Sequence, residues 1–128
     1  MLKTGIKGQQ SVLATEENSA KALGSGTLEV FATPAMVALM ELTAQVSVAP
    51  YLQEGEGTVG IRVDITHDAP TPLGMTVTCE SELIEVDGRR LVFQVDAYDA
   101  QGKIGSGRHE RFIINNERFQ TKADKKKN

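Results

Sequence analysis

Glu41 is a charged side chain in an otherwise uncharged, mostly apolar stretch, and its presence there calls for a structural or functional explanation. It is the only charged residue in the run Ala35–Ala49, which is mostly alanine, valine, leucine and methionine. An ionised carboxylate in such a run is costly to desolvate unless another group pairs with it. A carboxylate held in this way can act as a general base or as a nucleophile. Alternatively, Glu41 lies on a narrow exposed strip with Thr43, Gln45 and Ser47, or makes a structural contact across a subunit interface.

Thr33 precedes this run and is followed directly by Pro34. A threonine before a proline at a helix start is typical of capping, so Thr33 is predicted as the N-cap and Pro34 as the first helical residue. The backbone N–H groups beyond the proline, at Ala35 and Met36, are predicted to be free. With the positive end of the helix dipole they can stabilise an oxyanion or hold a carbonyl oxygen. Capping and catalysis are therefore compatible at Thr33.

The two histidines of the chain have different contexts. His67 ends a predicted strand just before Asp68-Ala69-Pro70, where a sheet can hold the side chain at the edge of a cleft. Its imidazole suits proton transfer near neutral pH, and a turn or packing role is the alternative. His109 lies within another predicted strand, and we expect a structural role for it. The single cysteine, Cys79, lies on a valine-rich strand and is predicted to be a packing residue.

The elements that must position these side chains are one long helix and five strands. The helix opens at Thr33-Pro34, continues through the run Ala35–Ala49 and ends at Pro50; because it is apolar around most of its circumference, it is predicted to be buried. A short helical turn at Asn18–Leu23 is ended by Gly24. The strands are rich in valine, isoleucine, threonine and phenylalanine. They are predicted at Gln9–Thr15, Thr58–Thr66, Met75–Val86, Leu91–Asp99 and Lys103–Asn115.

The order of these elements predicts an α+β chain. Turn residues in Val86-Asp87-Gly88-Arg89 and Asp99-Ala100-Gln101-Gly102 indicate that the last three strands form an antiparallel meander. A strand, one buried helix and four further strands is the order of the hotdog fold, in which a curled antiparallel sheet of about five strands wraps around one long central helix. We therefore predict a single domain over residues 1–120 and a charged, frayed C-terminal tail over residues 121–128.

Composition excludes several classes of function. The net charge is −3, and the basic residues are scattered outside the C-terminal tail, so no nucleic-acid partner is predicted. The longest nearly uncharged stretch, Val30–Met40, is shorter than the roughly 20 residues that cross a bilayer. One cysteine and two separated histidines do not suit a structural zinc site, so no metal is predicted. The lone cysteine and the absence of a signal-like segment in Met1–Lys7 predict a cytoplasmic protein.

The spacing of Thr33 and Glu41 indicates whether the two residues can belong to one catalytic site within a single chain. Glu41 lies eight residues beyond Thr33, which puts their backbones about 12 Å apart along one helix. They cannot easily act on one carbonyl within a chain. If two such helices pack antiparallel about a two-fold axis near Val37, the start of one helix lies beside Glu41 of the other. The sequence therefore predicts a homodimer with two composite sites, and it leaves open whether two dimers pair into a tetramer.

Several motifs, in consistent order along most of the chain, resemble those of the fluoroacetyl-CoA thioesterase family. They are Glu29–Glu41, Ala49-Pro50-Tyr51-Leu52, Gly55-Glu56-Gly57, Thr66–Pro70, Gly88-Arg89-Arg90-Leu91 and Gly105–Arg111. The resemblance implies a hotdog dimer that hydrolyses an acyl-CoA thioester. It implies Thr33, Glu41 and His67 as the catalytic set and Gly60 as a glycine near the acyl pocket. It implies no cofactor besides the coenzyme A that is part of the substrate.

The segment Ala20–Leu28 departs from the family, because it lacks the phenylalanines of the fluoroacetate-resistance enzyme's lid. Phe31 is the only aromatic nearby and is predicted to contact substrate, while the acyl group, small or medium, stays open. Arg89, Arg90 or the tail Lys125–Lys127 are candidates to meet the CoA phosphates. Two other functions remain: a non-catalytic acyl-CoA-binding dimer, and a hotdog acyl-CoA hydratase or dehydratase, although the longer Asp and His motif of that branch is not evident.

Overall fold

The computed structural model describes residues 2–127, which form one five-stranded antiparallel sheet and three α-helices. The strands are β1 (Lys7–Leu13), β2 (Glu56–His67), β3 (Thr76–Asp87), β4 (Arg90–Asp99) and β5 (Gly102–Asn115). The helices are α1 (Ala20–Leu23), α2 (Thr33–Val48) and α3 (Asn116–Asp124). The predicted α+β arrangement of one long helix and five strands is confirmed, with the ends of these six elements shifted by no more than two residues.

The sheet order is β1-β3-β4-β5-β2, and all neighbouring strands are antiparallel. β3, β4 and β5 form the predicted meander through two tight turns. Gly88 in the first turn has φ of +62° and Gly102 in the second has φ of +137°. Glycine adopts such values without the steric cost that a Cβ would bring. Because β2 pairs with β5 rather than with its successor in the chain, β2 lies at one edge of the sheet.

α2 lies against one face of the sheet and supplies much of the core. Its buried residues are Met36, Leu39, Met40, Thr43, Ala44 and Val48. Gly105 on β5 makes this packing possible, since a Cβ there would stand 2.8 Å from Met36 Sδ. Cys79, as predicted, is a fully buried packing residue, and burial raises the pKa of its thiol.

The prediction that α2 is buried around most of its circumference is wrong for a single chain. Leu42 and Val46 are 44% and 42% exposed, and Pro34 and Ala38 are exposed as well. These four residues follow one another at intervals of four and therefore lie in one stripe along the helix. An apolar stripe of this kind indicates a contact surface. The sequence shows the apolar composition but not which side of the helix the chain's own sheet leaves uncovered.

β2 presents a second apolar surface at the edge of the sheet. Its outer side has no strand partner within residues 2–127. Ile61 is 52% exposed and Val63 is 41% exposed. The pairing with β5 also shifts register between Gly60 and Arg62. A long edge strand with exposed apolar side chains is a template for pairing with another chain.

The C-terminal residues differ from the predicted frayed tail. α3 follows β5 directly, and the Asn115 side chain caps it by accepting a hydrogen bond from the Arg118 N–H at 2.9 Å. A 3-10 turn at Lys125–Lys127 continues the helix, and Asn128 lies outside the described residues. The N-cap favours a helix here, because the Asn115 side chain accepts from a backbone N–H of the first turn that would otherwise have no partner in the helix. Within residues 2–127 no helix has the length and apolarity to span a bilayer.

Candidate active site

The start of α2 differs from the prediction by one residue. Ala32, rather than Thr33, is the N-cap: its carbonyl accepts a hydrogen bond from the Met36 N–H at 3.0 Å, and Thr33 is already helical. The Met36 N–H is therefore not free, contrary to the prediction. The Ala35 N–H donates no hydrogen bond within residues 2–127. The shift leaves the Thr33 hydroxyl free of a capping role.

The Thr33 hydroxyl instead meets His67. Thr33 Oγ1 lies 2.7 Å from His67 Nδ1. β2 ends at His67, and the chain beyond it is fixed because the Asp68 N–H donates to the Ile104 carbonyl at 2.7 Å. The structure thus brings together two of the three predicted catalytic residues, although they are 34 positions apart. A hydroxyl in hydrogen-bond contact with an imidazole is suited to proton transfer.

The environment of His67 favours its neutral form. Burial lowers the pKa of His67, and the Asp68 carboxylate opposes this effect. His67 Nε2 is buried and has no hydrogen-bond partner within residues 2–127. A neutral imidazole can accept a proton that the neighbouring hydroxyl or a water molecule releases.

A cavity of about 280 Å³ opens beside the Thr33–His67 pair. Ala20 and Ser25 are among the residues that line it, so the segment without lid phenylalanines borders the site. Phe31 also contributes to the lining and is only 1% exposed. The predicted contact of Phe31 with substrate is therefore limited to the part of the ring that faces this cavity.

Glu41 lies elsewhere within one chain. Its carboxylate rests against β2, so close to Gly60 that a Cβ built on that glycine would stand 2.6 Å from Glu41 Oε2. Glycine at this position is what allows the carboxylate to approach the strand. The Glu41 side chain is 42% exposed. The predicted residues thus form two groups, Thr33 with His67 and Glu41 with Gly60.

Arg111 on β5 is a candidate site residue that the sequence reasoning missed. Its Nη1 lies 3.4 Å from Glu41 Oε2 and 3.2 Å from His109 Nε2. Thr58 fixes the guanidinium, since Nε donates to its hydroxyl at 2.8 Å and Nη2 to its carbonyl at 2.9 Å. Burial lowers the pKa of Arg111, yet a guanidinium stays charged. Glu41 in an apolar helix signalled that a partner exists, but not that it lies 70 positions away.

His109 supports Arg111 through Nη1, the same nitrogen that reaches Glu41. Its Nδ1 lies 2.8 Å from the Arg62 carbonyl. Because a carbonyl only accepts, Nδ1 carries the proton and Nε2 accepts from Arg111. His109 is 1% exposed and stacks on Phe93. The geometry agrees with the structural role expected for it, and that role is to hold Arg111 toward Glu41.

We expect the free energy of unfolding to fall as the pH drops below about 6.5. The reason is that the imidazole of His109 binds a proton more readily in the unfolded chain than in the folded chain. Burial lowers the pKa of His109 in the fold. The contribution of neutral His109 to the free energy of unfolding is therefore fully present above the pKa that this residue has in the unfolded chain. It is lost as the pH falls through the lower pKa that the residue has in the folded chain. Urea unfolding of the His109→Gln variant at stepwise pH should give a shallower dependence of the unfolding free energy on pH than the wild type. His67→Gln should have an effect in the same direction, because burial lowers the pKa of that histidine as well. An unchanged dependence in His109→Gln would contradict this role.

The two arginines predicted to meet CoA phosphates lie at the opposite end of β2 from His67. Arg90 is held by Glu85 at 2.9 Å and by Glu110 at 3.0 Å. Arg89 is 60% exposed and makes only a long contact of 3.7 Å with Glu56. Arg90 is thus committed to its neighbouring carboxylates, whereas Arg89 is more available.

Comparisons with known proteins agree with the resemblance seen in the motifs. The profile of the family described as fluoroacetyl-CoA-specific thioesterase matches residues 14–117. The fluoroacetyl-CoA thioesterase of Streptantibioticus cattleyicolor is 50% identical over 98 residues, which cover 77% of this chain and 70% of that protein. A solved structure of the fluoroacetyl-CoA thioesterase FlK is 39% identical, with a TM-score of 0.93 and 98% of each chain covered.

More distant structures share the fold. A Thermus thermophilus protein described as a thioesterase superfamily member is 29% identical, with a TM-score of 0.90 over 99% of this chain and 94% of that one. A hot-dog-like protein from Thermanaerovibrio acidaminovorans is 24% identical, with a TM-score of 0.88 over 98% and 93%. The predicted hotdog fold is confirmed. The chain belongs to the fluoroacetyl-CoA-specific thioesterase family, a family of thioester hydrolases.

Proposed function

We propose that this chain is an acyl-CoA thioesterase that hydrolyses a small or medium acyl-CoA to the free acid and CoA. The observation that carries the proposal is the Thr33–His67 hydrogen bond at the start of α2, beside a cavity that can admit a short acyl group. The Ala35 N–H offers a further donor to a carbonyl oxygen. Because the segment Ala20–Leu28 has no aromatic side chain, we do not extend a preference for fluoroacetyl-CoA to this chain.

The proposal includes a homodimer whose sites combine residues of two chains. Antiparallel pairing of two β2 strands about Arg62 would set Gly60 of one chain opposite Asp64 of the other, about 10 Å along the strand from His67. Glu41, which rests against Gly60, would then approach the Thr33–His67 pair of the other chain. The exposed Ile61 and the apolar stripe of α2 supply surfaces for such a contact.

In the proposed reaction the thioester carbonyl lies at the start of α2, where Thr33 donates a hydrogen bond to it. Glu41 of the partner subunit either removes a proton from water, whose oxygen then attacks the carbonyl carbon, or attacks directly to form an anhydride that water opens. The carbon–sulfur bond breaks as the new carbon–oxygen bond is completed. The neutral imidazole of His67 accepts the proton that the attacking water gives up, directly or through Glu41, and returns it to the CoA thiolate. No cofactor is proposed besides the CoA of the substrate.

Free-thiol release from a panel of short and medium acyl-CoAs tests the activity. We expect turnover, with the best substrate identifying the acyl group. Binding of acyl-CoA without turnover would favour the non-catalytic binding dimer. Conversion of an unsaturated acyl-CoA to its hydroxy form would favour the hydratase. We also propose a cytoplasmic location and no nucleic-acid partner, which fits the acidic net charge.

The Ile61→Lys variant is expected to be monomeric and to have lost most thioesterase activity. A lysine at position 61 would repel the same lysine of the other chain across the two-fold axis, and this repulsion would weaken the pairing of the two β2 strands. Analytical ultracentrifugation and thiol release measure the two effects on the same sample. Val86→Lys, at a 37% exposed apolar position far from that edge, is the matched control and should stay dimeric and active. A monomeric Ile61→Lys with normal turnover would rule out the composite site.

A further inference from the structure

The C-terminal helical segment carries a charge opposite to that of the rest of the chain. Residues 116–127 contain five basic and two acidic side chains, a net charge of +3. Since the whole chain has a net charge of −3, the other residues together carry −6. The basic side chains are Arg118, Lys122, Lys125, Lys126 and Lys127. A positive patch that stands apart on an acidic protein is suited to an anionic ligand.

Three of these cations face the same way. Arg118, Lys122 and Lys125 are spaced by four and then three residues, which sets them on one side of a helix. They border a groove of about 500 Å³, the α3 groove. It is lined by Asn115, Glu117, Arg118, Thr121, Lys122 and Lys125. None of the three cations forms an ion pair with a carboxylate in the part of the chain that the structure describes. Arg90, in contrast, pairs with the carboxylates of Glu85, Asp87 and Glu110.

The α3 groove is distant from the catalytic pair of its own chain. α3 begins beside the start of β2, where the Asn116 N–H donates to the Gly55 carbonyl at 2.9 Å. His67 lies at the other end of that strand. When two β2 strands pair antiparallel, the start of one lies beside the end of the other. The α3 groove of one chain would then flank the Thr33–His67 cavity of its partner.

We propose that the α3 groove binds the phosphates of CoA while the thioester occupies the other chain's Thr33–His67 cavity. The inference rests on the proposed function, since it assigns a subsite to that substrate. CoA carries its phosphates at the far end of the pantetheine arm, so the phosphate subsite must lie away from the catalytic pair. Arg118 supplies a planar group that can donate two hydrogen bonds to a phosphate, and the lysines supply compact charges.

The test is a charge reversal, Arg118→Glu with Lys122→Glu, assayed with three thioesters of one acyl group. These are the acyl-CoA, the acyl-3′-dephospho-CoA and the acyl-pantetheine, which carries no phosphate. We expect the KM for acyl-CoA to rise by about tenfold or more, with kcat unchanged. The KM for acyl-dephospho-CoA should rise less, and that for acyl-pantetheine should not change. Lys3→Glu with Lys7→Glu, an equal charge change at exposed positions away from α3, is the control and should leave all three values unchanged.

Calorimetric binding of CoA itself separates this inference from the activity. If the wild type hydrolyses no thioester but the reversal weakens CoA binding and the control does not, the subsite stands and the thioesterase proposal fails. If the wild type is active and the reversal binds CoA as tightly as the control does, the subsite is wrong. An equal rise in KM for acyl-CoA and acyl-pantetheine would also overturn it. So would a reversal that abolishes binding to anionic lipid vesicles or to RNA while leaving CoA binding intact.

Discussion

Replacing Glu41 with glutamine is expected to lower kcat by about three orders of magnitude, because an amide can neither remove a proton from water nor form an anhydride. The substitution keeps the size of the side chain, so the contacts with Gly60 and Arg111 remain sterically satisfied. The lost activity therefore reports on chemistry rather than on packing. Glu41→Ala should be as inactive but less stable, since it leaves the buried Arg111 without its carboxylate.

Thiol release under saturating acyl-CoA measures this effect, after size-exclusion chromatography has shown that the variant is still a dimer. Glu54→Gln makes the same chemical change at an exposed loop position and should retain full activity. A Glu41→Gln enzyme within about threefold of the wild-type kcat would remove Glu41 from the reaction.

The second large effect is expected at the Thr33–His67 pair. His67→Ala should lower kcat by about 10²- to 10⁴-fold, because the proton that the reaction moves loses its acceptor. Thr33→Val should also be strongly impaired, whereas Thr33→Ser keeps the hydroxyl and should recover part of the rate. Since the two residues act as one unit through a 2.7 Å contact, the double variant should be little worse than His67→Ala alone.

The pH profile of the wild type tests the same pair. Burial lowers the pKa of His67 below its usual value of 6.5. As the neutral imidazole is the active form, kcat/KM should fall on the acidic side of that value as the pH decreases. Thr33→Ser should retain this acidic limb and His67→Ala should lose it. Strictly multiplicative effects of the two single substitutions, or an acidic limb that persists without His67, would contradict a coupled pair.

The fold was largely predictable because its signals are local. Pro50 after an apolar run and glycine in the two meander turns each report a physical constraint that acts over a few residues. The helix start was predicted one residue late because threonine before proline has an intrinsic capping preference, and this preference is overridden when the hydroxyl hydrogen-bonds to His67. The helix α3 was not predicted, because the basic composition of this segment is also typical of a solvated tail.

The site was predictable in its parts but not in its assembly. Glu41 drew attention because it is charged where the sequence is apolar, and that signal is intrinsic to the sequence. Arg111 carries no such signal, since an arginine on a strand is common. Its role becomes visible only when the fold places β5 beside the Glu41 carboxylate. His109 likewise becomes interpretable only through the Arg62 carbonyl beside the register shift of β2. Contacts between distant strands depend on pairing register, which single residues do not specify.

Mixing two inactive variants tests the composite site most directly. Thr33→Val and Glu41→Gln chains, unfolded together and refolded at equal concentrations, should form heterodimers in which one site has both substitutions and the other has none. If a site combines Thr33 and His67 of one chain with Glu41 of the other, activity should recover to about one quarter of the wild-type value. No recovery above that of the separate variants, with heterodimers demonstrated by mass spectrometry, would show that each site is built within one chain.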